Sequence, residues 1–238
     1  MGIYALENFD FLREIPAGLR ELALATTKSK KPRLDELGRF HSLQRLYLEG
    51  QQRGIDVLSS LKTLERLTLR SISTNDLGYL ERLDRMWSLE VKLGGIQDLS
   101  ALERKKCLKY LELWQIRGLR DLSFISSLSG LQYVFLQALR NVIAIPDLSR
   151  LLELRRLSLE NMKALADVSA LWSSPSLTEF IHVSANNMRP EQYEGIGKIS
   201  TLERVLVGFG SKKKNRQFEA TMLRAGKRRF SGGKFVFE

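Results

Sequence analysis

The chain has 238 residues, 43% hydrophobic and 27% charged, so it holds ample apolar material for a packed core. A formal net charge of +11 favours an acidic partner or serves solubility, and the single cysteine, Cys107, excludes an internal disulfide framework and suits a reducing compartment. Ordinary glycine and proline numbers exclude collagen-like and disordered composition, and no window approaches the roughly 18 apolar residues of a membrane span.

Residues 1–18 carry acidic side chains within an apolar stretch and no basic start, so a secretory signal is not expected. Leu6 stands where an acylated Gly2 is usually followed by serine or threonine. A cytoplasmic protein is the expectation, with this segment as an N-terminal cap covered by Ile3, Phe9, Phe11, Leu12 and Ile15. From Leu19 onward the phrase L-x-x-L-x-L recurs. It stands at Leu19-Leu22-Leu24, Leu43-Leu46-Leu48, Leu64-Leu67-Leu69, Leu108-Leu111-Leu113, Leu131-Val134-Leu136 and Leu154-Leu157-Leu159. Weaker copies are Leu89-Val91-Leu93, one residue short, then Leu177-Phe180-His182 and Leu202-Val205-Val207. The even step from Leu108 through Leu131 and Leu154 to Leu177 falls in the roughly 20–29-residue range of stacking repeats.

The alternation within each copy predicts a short strand whose leucines point inward. The second half of each copy carries Asp98-Leu99-Ser100, Asp121-Leu122-Ser123, Asp147-Leu148-Ser149 or Asp167-Val168-Ser169. Asp and Ser there bond the free N–H groups that open a short helix or turn. No unit buries its leucines alone, so each must stack on its neighbours.

Over residues 19–208 these copies resemble the leucine-rich repeat family, and the I-x-D-h-S-x-L segment is similar to bacterial internalin-type and related cytosolic repeats. The resemblance implies a right-handed α/β solenoid of about nine repeats. Parallel strands would form the concave side and short helical or 3-10 segments the convex side. One departure stands out: Ile116, Leu139 and Met162 occupy the slot where such families place an asparagine that bonds the turning backbone. Apolar packing must close the turn instead. Residues 209–238 read as a C-terminal cap. A helix over Asn215 to Ala225 sets Phe218, Met222 and Leu223 on one side, and a hairpin around Gly232-Gly233 follows with alternating Phe235 and Phe237.

In such an arc the residues flanking the strand leucines face outward. Tyr110, Trp114, Tyr133 and Phe135 fall on two neighbouring copies and form the candidate anchor patch, with Tyr47, Arg66, Arg70 and Arg156 orienting a partner and Glu112 and Glu160 around them. Tyr, Trp and Arg dominate binding hot spots, although aromatics also favour strands for packing reasons alone. Ile181, Val183 and Leu206 make a second apolar cluster that the terminal hairpin could cover. His182 sits at a core slot, which admits a one-residue slip turning Ile181 and Val183 inward.

Basic runs at Lys28–Arg33, Arg104–Lys106, Lys212–Arg216 and Lys227–Arg229 scatter over loops, outer face and C-terminal segment. A nucleic-acid groove wants continuous cations interleaved with stacking rings, so polyanion binding is the alternative reading. His41 and His182 are the only histidines, with no metal-ligand spacing around them. No G-x-S-x-G or phosphate loop is present, and Gly208-Phe-Gly210-Ser lacks the Lys-Ser/Thr ending. Neither catalysis, metal nor cofactor is expected. Lysines beside Cys107 would lower its thiol pKa, yet it reads as a plain repeat position. The expected function is a protein-binding module using its concave face. The resemblance extends to small immunity proteins that neutralise a toxin, which for this basic chain implies an acidic one.

Overall fold

The structure, a computed structural model, describes residues 5–29 and 31–238; Ile3, expected in the cap, lies outside them. Ten strands form one sheet in strict chain order, every neighbouring pair parallel. They are β1 (Glu21–Leu24), β2 (Arg45–Glu49), β3 (Arg66–Arg70), β4 (Ser88–Lys92) and β5 (Tyr110–Trp114). The series continues with β6 (Tyr133–Gln137), β7 (Arg156–Glu160), β8 (Glu179–Val183), β9 (Arg204–Val207) and β10 (Arg228–Arg229). Short 3-10 segments, such as Ile55–Ser60, Ser123–Ser127 and Ser169–Ser173, return along the opposite side. Strands pack at about 4.8 Å while the returning segments are bulkier, so the sheet takes the inner curve of an arc.

The inward column is continuous. Leu46, Leu67, Leu89, Leu111, Val134, Leu157, Phe180 and Val205 are in register from strand to strand, and all are buried in one core. His182 pairs in register with Leu159 and Val207, so no slip occurs at that copy. The irregular copy resolves differently from its sequence reading. Leu89 and Val91 align with Leu67 and Leu69, which makes buried Met86 the first apolar residue of that copy. The phrase is therefore Met86-Leu89-Val91, at 22 residues from both Leu64 and Leu108. Glu90 and Lys92 take the outward positions, and Leu93 leaves the strand.

Strands β2 to β8 end in the same backbone device. Ser71, Leu93, Gln115, Ala138, Asn161 and Ser184 follow directly after strands and all have φ between 52° and 59°. Gly50 takes that position after β2. A left-handed non-glycine residue costs roughly 1–2 kcal/mol. The conformation persists because it aims each N–H at the next coil: Leu93 N bonds Trp114 O at 2.8 Å, Gln115 N bonds Gln137 O at 2.8 Å, and Ala138 N bonds Glu160 O at 2.9 Å. Before the 3-10 segments the aspartates act as expected. Asp98, Asp121, Asp147 and Asp167 each accept from the backbone N–H of the serine two residues on, at 2.8–3.0 Å.

The asparagine slot shows why an amide ladder is dispensable. Ile116, Leu139 and Met162 are buried and fill it with hydrocarbon. At Gly94 a Cβ would lie 2.3 Å from the Ile72 carbonyl oxygen, so only glycine fits. The first two copies keep polar occupants, and Gln51 Nε2 donates to Thr27 Oγ1 inside the core.

At the N-terminal end, Phe9 and Leu12 are buried while Phe11 stays exposed. The Arg39 guanidinium pins this segment by donating to the carbonyls of Leu12, Arg13 and Ile15. At the other end α1 (Lys212–Arg224) buries Phe218 and Met222 but leaves Leu223 exposed. The expected hairpin does not form. β10 instead pairs parallel with β9 (Arg228 beside Arg204), because α1 serves as the crossover that parallel pairing requires. Residues 230–238 then turn back across the sheet.

Substitutions at Ala138 test the turn. Ala138→Gly should be neutral or raise stability by up to about 1 kcal/mol, and Ala138→Val should lower it by about 1–3 kcal/mol in urea unfolding, since a β-branched residue is poorest at positive φ.

Candidate functional site

The outward side of the sheet is ordered into columns by the register. Its first column runs Arg45, Arg66, Ser88, Tyr110, Tyr133, Arg156, Glu179 and Arg204. The second runs Tyr47, Thr68, Glu90, Glu112, Phe135, Ser158 and Ile181, and the third Glu49, Arg70, Lys92, Trp114, Gln137, Glu160 and Val183. Tyr110 and Tyr133 meet, with ring centroids 5.1 Å apart. Trp114 lies in the third column and stacks with Arg70, whose guanidinium carbon is 5.3 Å from the ring centroid. The four rings therefore divide into a tyrosine pair near the strand starts, Phe135 alone in the second column, and a separate Arg70–Trp114 stack near the strand ends.

Most concave cations are neutralised by neighbours. Arg45 pairs with Glu21, and Arg70 donates to Glu49 at 3.2 Å. Lys92 bridges Glu90 at 2.6 Å and Glu112 at 3.1 Å. Glu179 is buried between Arg156 and Arg204. These pairs fix side-chain directions. Tyr47 donates its hydroxyl to Glu49 at 2.9 Å, and Tyr110 donates to Glu112 at 2.8 Å. Burial, then the Glu112 carboxylate, pushes the Tyr110 phenol well above its ordinary pKa.

The C-terminal residues cover part of this face. Phe235 packs on Tyr133 with centroids 5.3 Å apart, and Phe237 packs on Tyr110 at 5.9 Å and on Trp87 at 5.2 Å. Arg156 is enclosed by Tyr133, Phe230 and Phe235, each centroid 5.0–5.3 Å from its guanidinium. Of the expected anchors, Tyr110, Tyr133 and Arg156 lie beneath the tail. Tyr47, Arg70, Trp114, Phe135 and Glu160 make no ring stack, hydrogen bond or ion pair with the tail among the described residues. Arg66 stacks on Trp87 at 4.4 Å. Near β8, Ile181 is buried and Val183 exposed, so that cluster is only half covered.

A fourth column, just before the strands, escaped the sequence reading: Trp87, Lys109, Gln132 and Arg155. It holds the end of the tail through Trp87 against Phe237 and through hydrogen bonds from Lys109, Gln132 and Arg155 to Glu238 or Val236. Its signal lay one residue after the first apolar residue of each copy, where Met86-Trp87 and Leu131-Gln132 stand.

His182 and Cys107 both lie at repeat positions and are removed from solvent to different degrees. His182 Nδ1 lies 2.6 Å from the Tyr193 hydroxyl, Nε2 has no partner, and the ring is wholly buried. Burial raises the Cys107 thiol pKa and outweighs the opposing pull of Lys105. No group of three or more metal-ligating side chains occurs among the described residues, and no helix among them is long and apolar enough to cross a membrane.

No family model matches the sequence, and no curated protein does. Solved structures do. An internalin, InlF, of Listeria monocytogenes superposes with a TM-score of 0.62 at 16% identity, over 92% of this chain and 69% of that one. The chain is a leucine-rich repeat solenoid. Internalin C2 of the same organism gives a TM-score of 0.55 at 18% identity, over 71% of this chain and 73% of its own. The leucine-rich repeat domain of the type III effector XopL gives 0.53 at 16% identity, over 75% and 73%. At such identities the likeness concerns the solenoid itself.

One consequence of the His182 site is a pH dependence. Burial alone lowers its pKa from 6.5 to about 4, so between those values the unfolded chain binds a proton that the folded repeat excludes. Stability is full above pH 6.5 and falls toward pH 4, by up to about 3 kcal/mol. Replacing His182 by Leu together with Tyr193 by Phe should flatten the difference between urea midpoints at pH 7.5 and 4.5.

Proposed function

We propose that this leucine-rich repeat chain is a non-catalytic protein-binding module that receives its partner on the concave surface its own tail leaves open. The observation that carries the reading is the Arg70–Trp114 stack, braced by Glu49 and Tyr47 and flanked in the next coil by Phe135. A large ring and a guanidinium already fixed in direction lose little side-chain entropy on association. The arc supplies a broad preformed surface around them. Solvent exposes enough of both groups for contact, since each is only half-buried.

The charge favours an acidic partner, and an immunity or inhibitor role toward an acidic toxin is the finer form of the proposal. It draws on the +11 balance and on the resemblance to small neutralising repeat proteins. Binding of nucleic acid is the weaker reading. Most concave cations are matched with carboxylates, Arg66 stacking on Trp87 instead, and the exposed Lys212, Lys213 and Arg216 lie on α1, away from the aromatic columns. Polyanion binding through them would weaken steeply with added salt.

Affinity capture from the native source tests the surface. Bait with Trp114→Ala should lose its partner by tenfold or more, as removal of a central aromatic hot spot does. Bait with Trp172→Ala, an exposed ring on the convex side, should behave as wild type. Equal capture by all three baits would overturn the concave assignment.

A further inference from the structure

Residues 231–238 lie across the sheet instead of along it. The tail makes no backbone ladder with the strands beneath, and side chains hold its main chain instead. Arg156 Nη1 donates to the Gly233 carbonyl at 3.2 Å, and Arg155 Nη2 donates to the Val236 carbonyl at 2.8 Å. Gln132 grips Glu238 twice, its Oε1 accepting the Glu238 N–H at 2.9 Å and its Nε2 donating to the Glu238 carbonyl at 3.1 Å. Two rings and one carboxylate supply the remaining contacts. Phe235 sits between Tyr133 and the Arg155 and Arg156 guanidinium groups. Phe237 sits on Trp87 and Tyr110, and Arg155 Nη1 meets Glu238 Oε1 at 2.5 Å. The intervening Lys234 and Val236 face solvent, Val236 being 70% exposed.

Two properties mark the floor as a receptor. The first is that it is braced from its own side. Arg66 stacks on Trp87, Glu112 accepts from Tyr110, and Glu179 fixes Arg156. None of these contacts needs the tail. The second is that the occupant is held by surface contacts and is not part of the core. Phe235 and Phe237 are absent from the buried core, and Gly232 and Gly233 have φ of +100° and +130° with open space around them. Once those surface contacts break, the open space at these two glycines lets the segment turn away without backbone clashes.

We propose that this cross-strand groove is a recognition site for an extended aromatic-x-aromatic-acidic segment of a partner protein, and that the chain's own Phe235-Val236-Phe237-Glu238 is the resident occupant such a segment displaces. The proposal rests on the protein-binding reading above and names the chemistry of the partner. An acidic segment is favoured because Lys106, Lys109 and Arg155 outnumber Glu153, whose carboxylate accepts from Gln132, around the groove, and by the basic balance of the whole chain. A tethered occupant competes at millimolar effective concentration, so an incoming segment gains by contacts elsewhere on the same partner. The open Trp114–Arg70 surface lies on the same strands and offers them.

The test uses the full chain with Phe235→Ser and Phe237→Ser, which empties the groove without touching the core. A fluorescent peptide of sequence SGGKFVFE should bind this variant at least tenfold more tightly than it binds wild type, read by anisotropy. Replacing both peptide phenylalanines by alanine should abolish binding, each ring being worth roughly tenfold or more. Replacing the peptide glutamate by lysine should weaken it, and adding Arg155→Ala to the emptied chain should do the same. The single variant Phe237→Ser should give an intermediate affinity, which guards against a folding defect in the double variant. Failure of an emptied chain with wild-type melting to bind the peptide would overturn the proposal. Equal binding of the phenylalanine and alanine peptides would do so too. A concentration-dependent dimer formed by exchanged tails would assign the groove to a second copy of this chain and also refute it. Trp172→Ala, on the convex side, should leave peptide affinity unchanged, and because the peptide is read without the native partner this result and the capture result fail independently.

Discussion

The whole molecule depends on a burial constraint within each coil. A strand of five residues with two or three inward leucines has no partner for them in its own repeat. Only the coils before and after complete the box. Parallel stacking then follows, and with it the left-handed residue after each of β2 to β8. That conformation is locally unfavourable at Leu93, Gln115 and Ala138, yet it sends an N–H to the next coil while the chain turns away. The arc is thus stabilised coil by coil, and local strain is offset by contacts between coils.

The same register that aligns the leucines also aligns the outward side chains, and it converts isolated residues into rows. In those rows, charge neutralises charge: Lys92 lies between two glutamates and Glu179 between two arginines. The sheet is therefore a polar, internally paired surface interrupted by a few rings, despite the strongly basic composition. Such pairing sets the directions of Arg70, Arg156 and Tyr110, and preorganisation of this kind is what a binding surface needs. Cations without such partners stand mainly on loops and on α1, where they act on solubility and long-range attraction.

The tail divides the concave face into two territories. Near the strand starts, the tyrosine pair and Trp87 are already engaged by phenylalanines. Near the strand ends, Trp114, Arg70 and Tyr47 remain accessible. One partner could use both, with the second territory providing the contacts that help clear the first. In the function proposed above, an internal segment and an external one compete for a common aromatic floor.

The amino-acid sequence by itself determined the repeat, the strand positions, the aspartate turns and the inward column, because each depends on residues within one coil or on the period between coils. His182 could be placed in the core from its offset alone. The tertiary structure decided what offsets do not encode. Met86 replaces a leucine and hid the true phase of its copy until Leu89 was seen beside Leu67. The Gly232-Gly233 pair suited a hairpin locally, but a hairpin needs a free antiparallel neighbour, and α1 instead delivers the chain parallel to β9. The covering of Tyr110 and Tyr133 arises between residues about a hundred positions apart, and no local pattern records a contact across that separation.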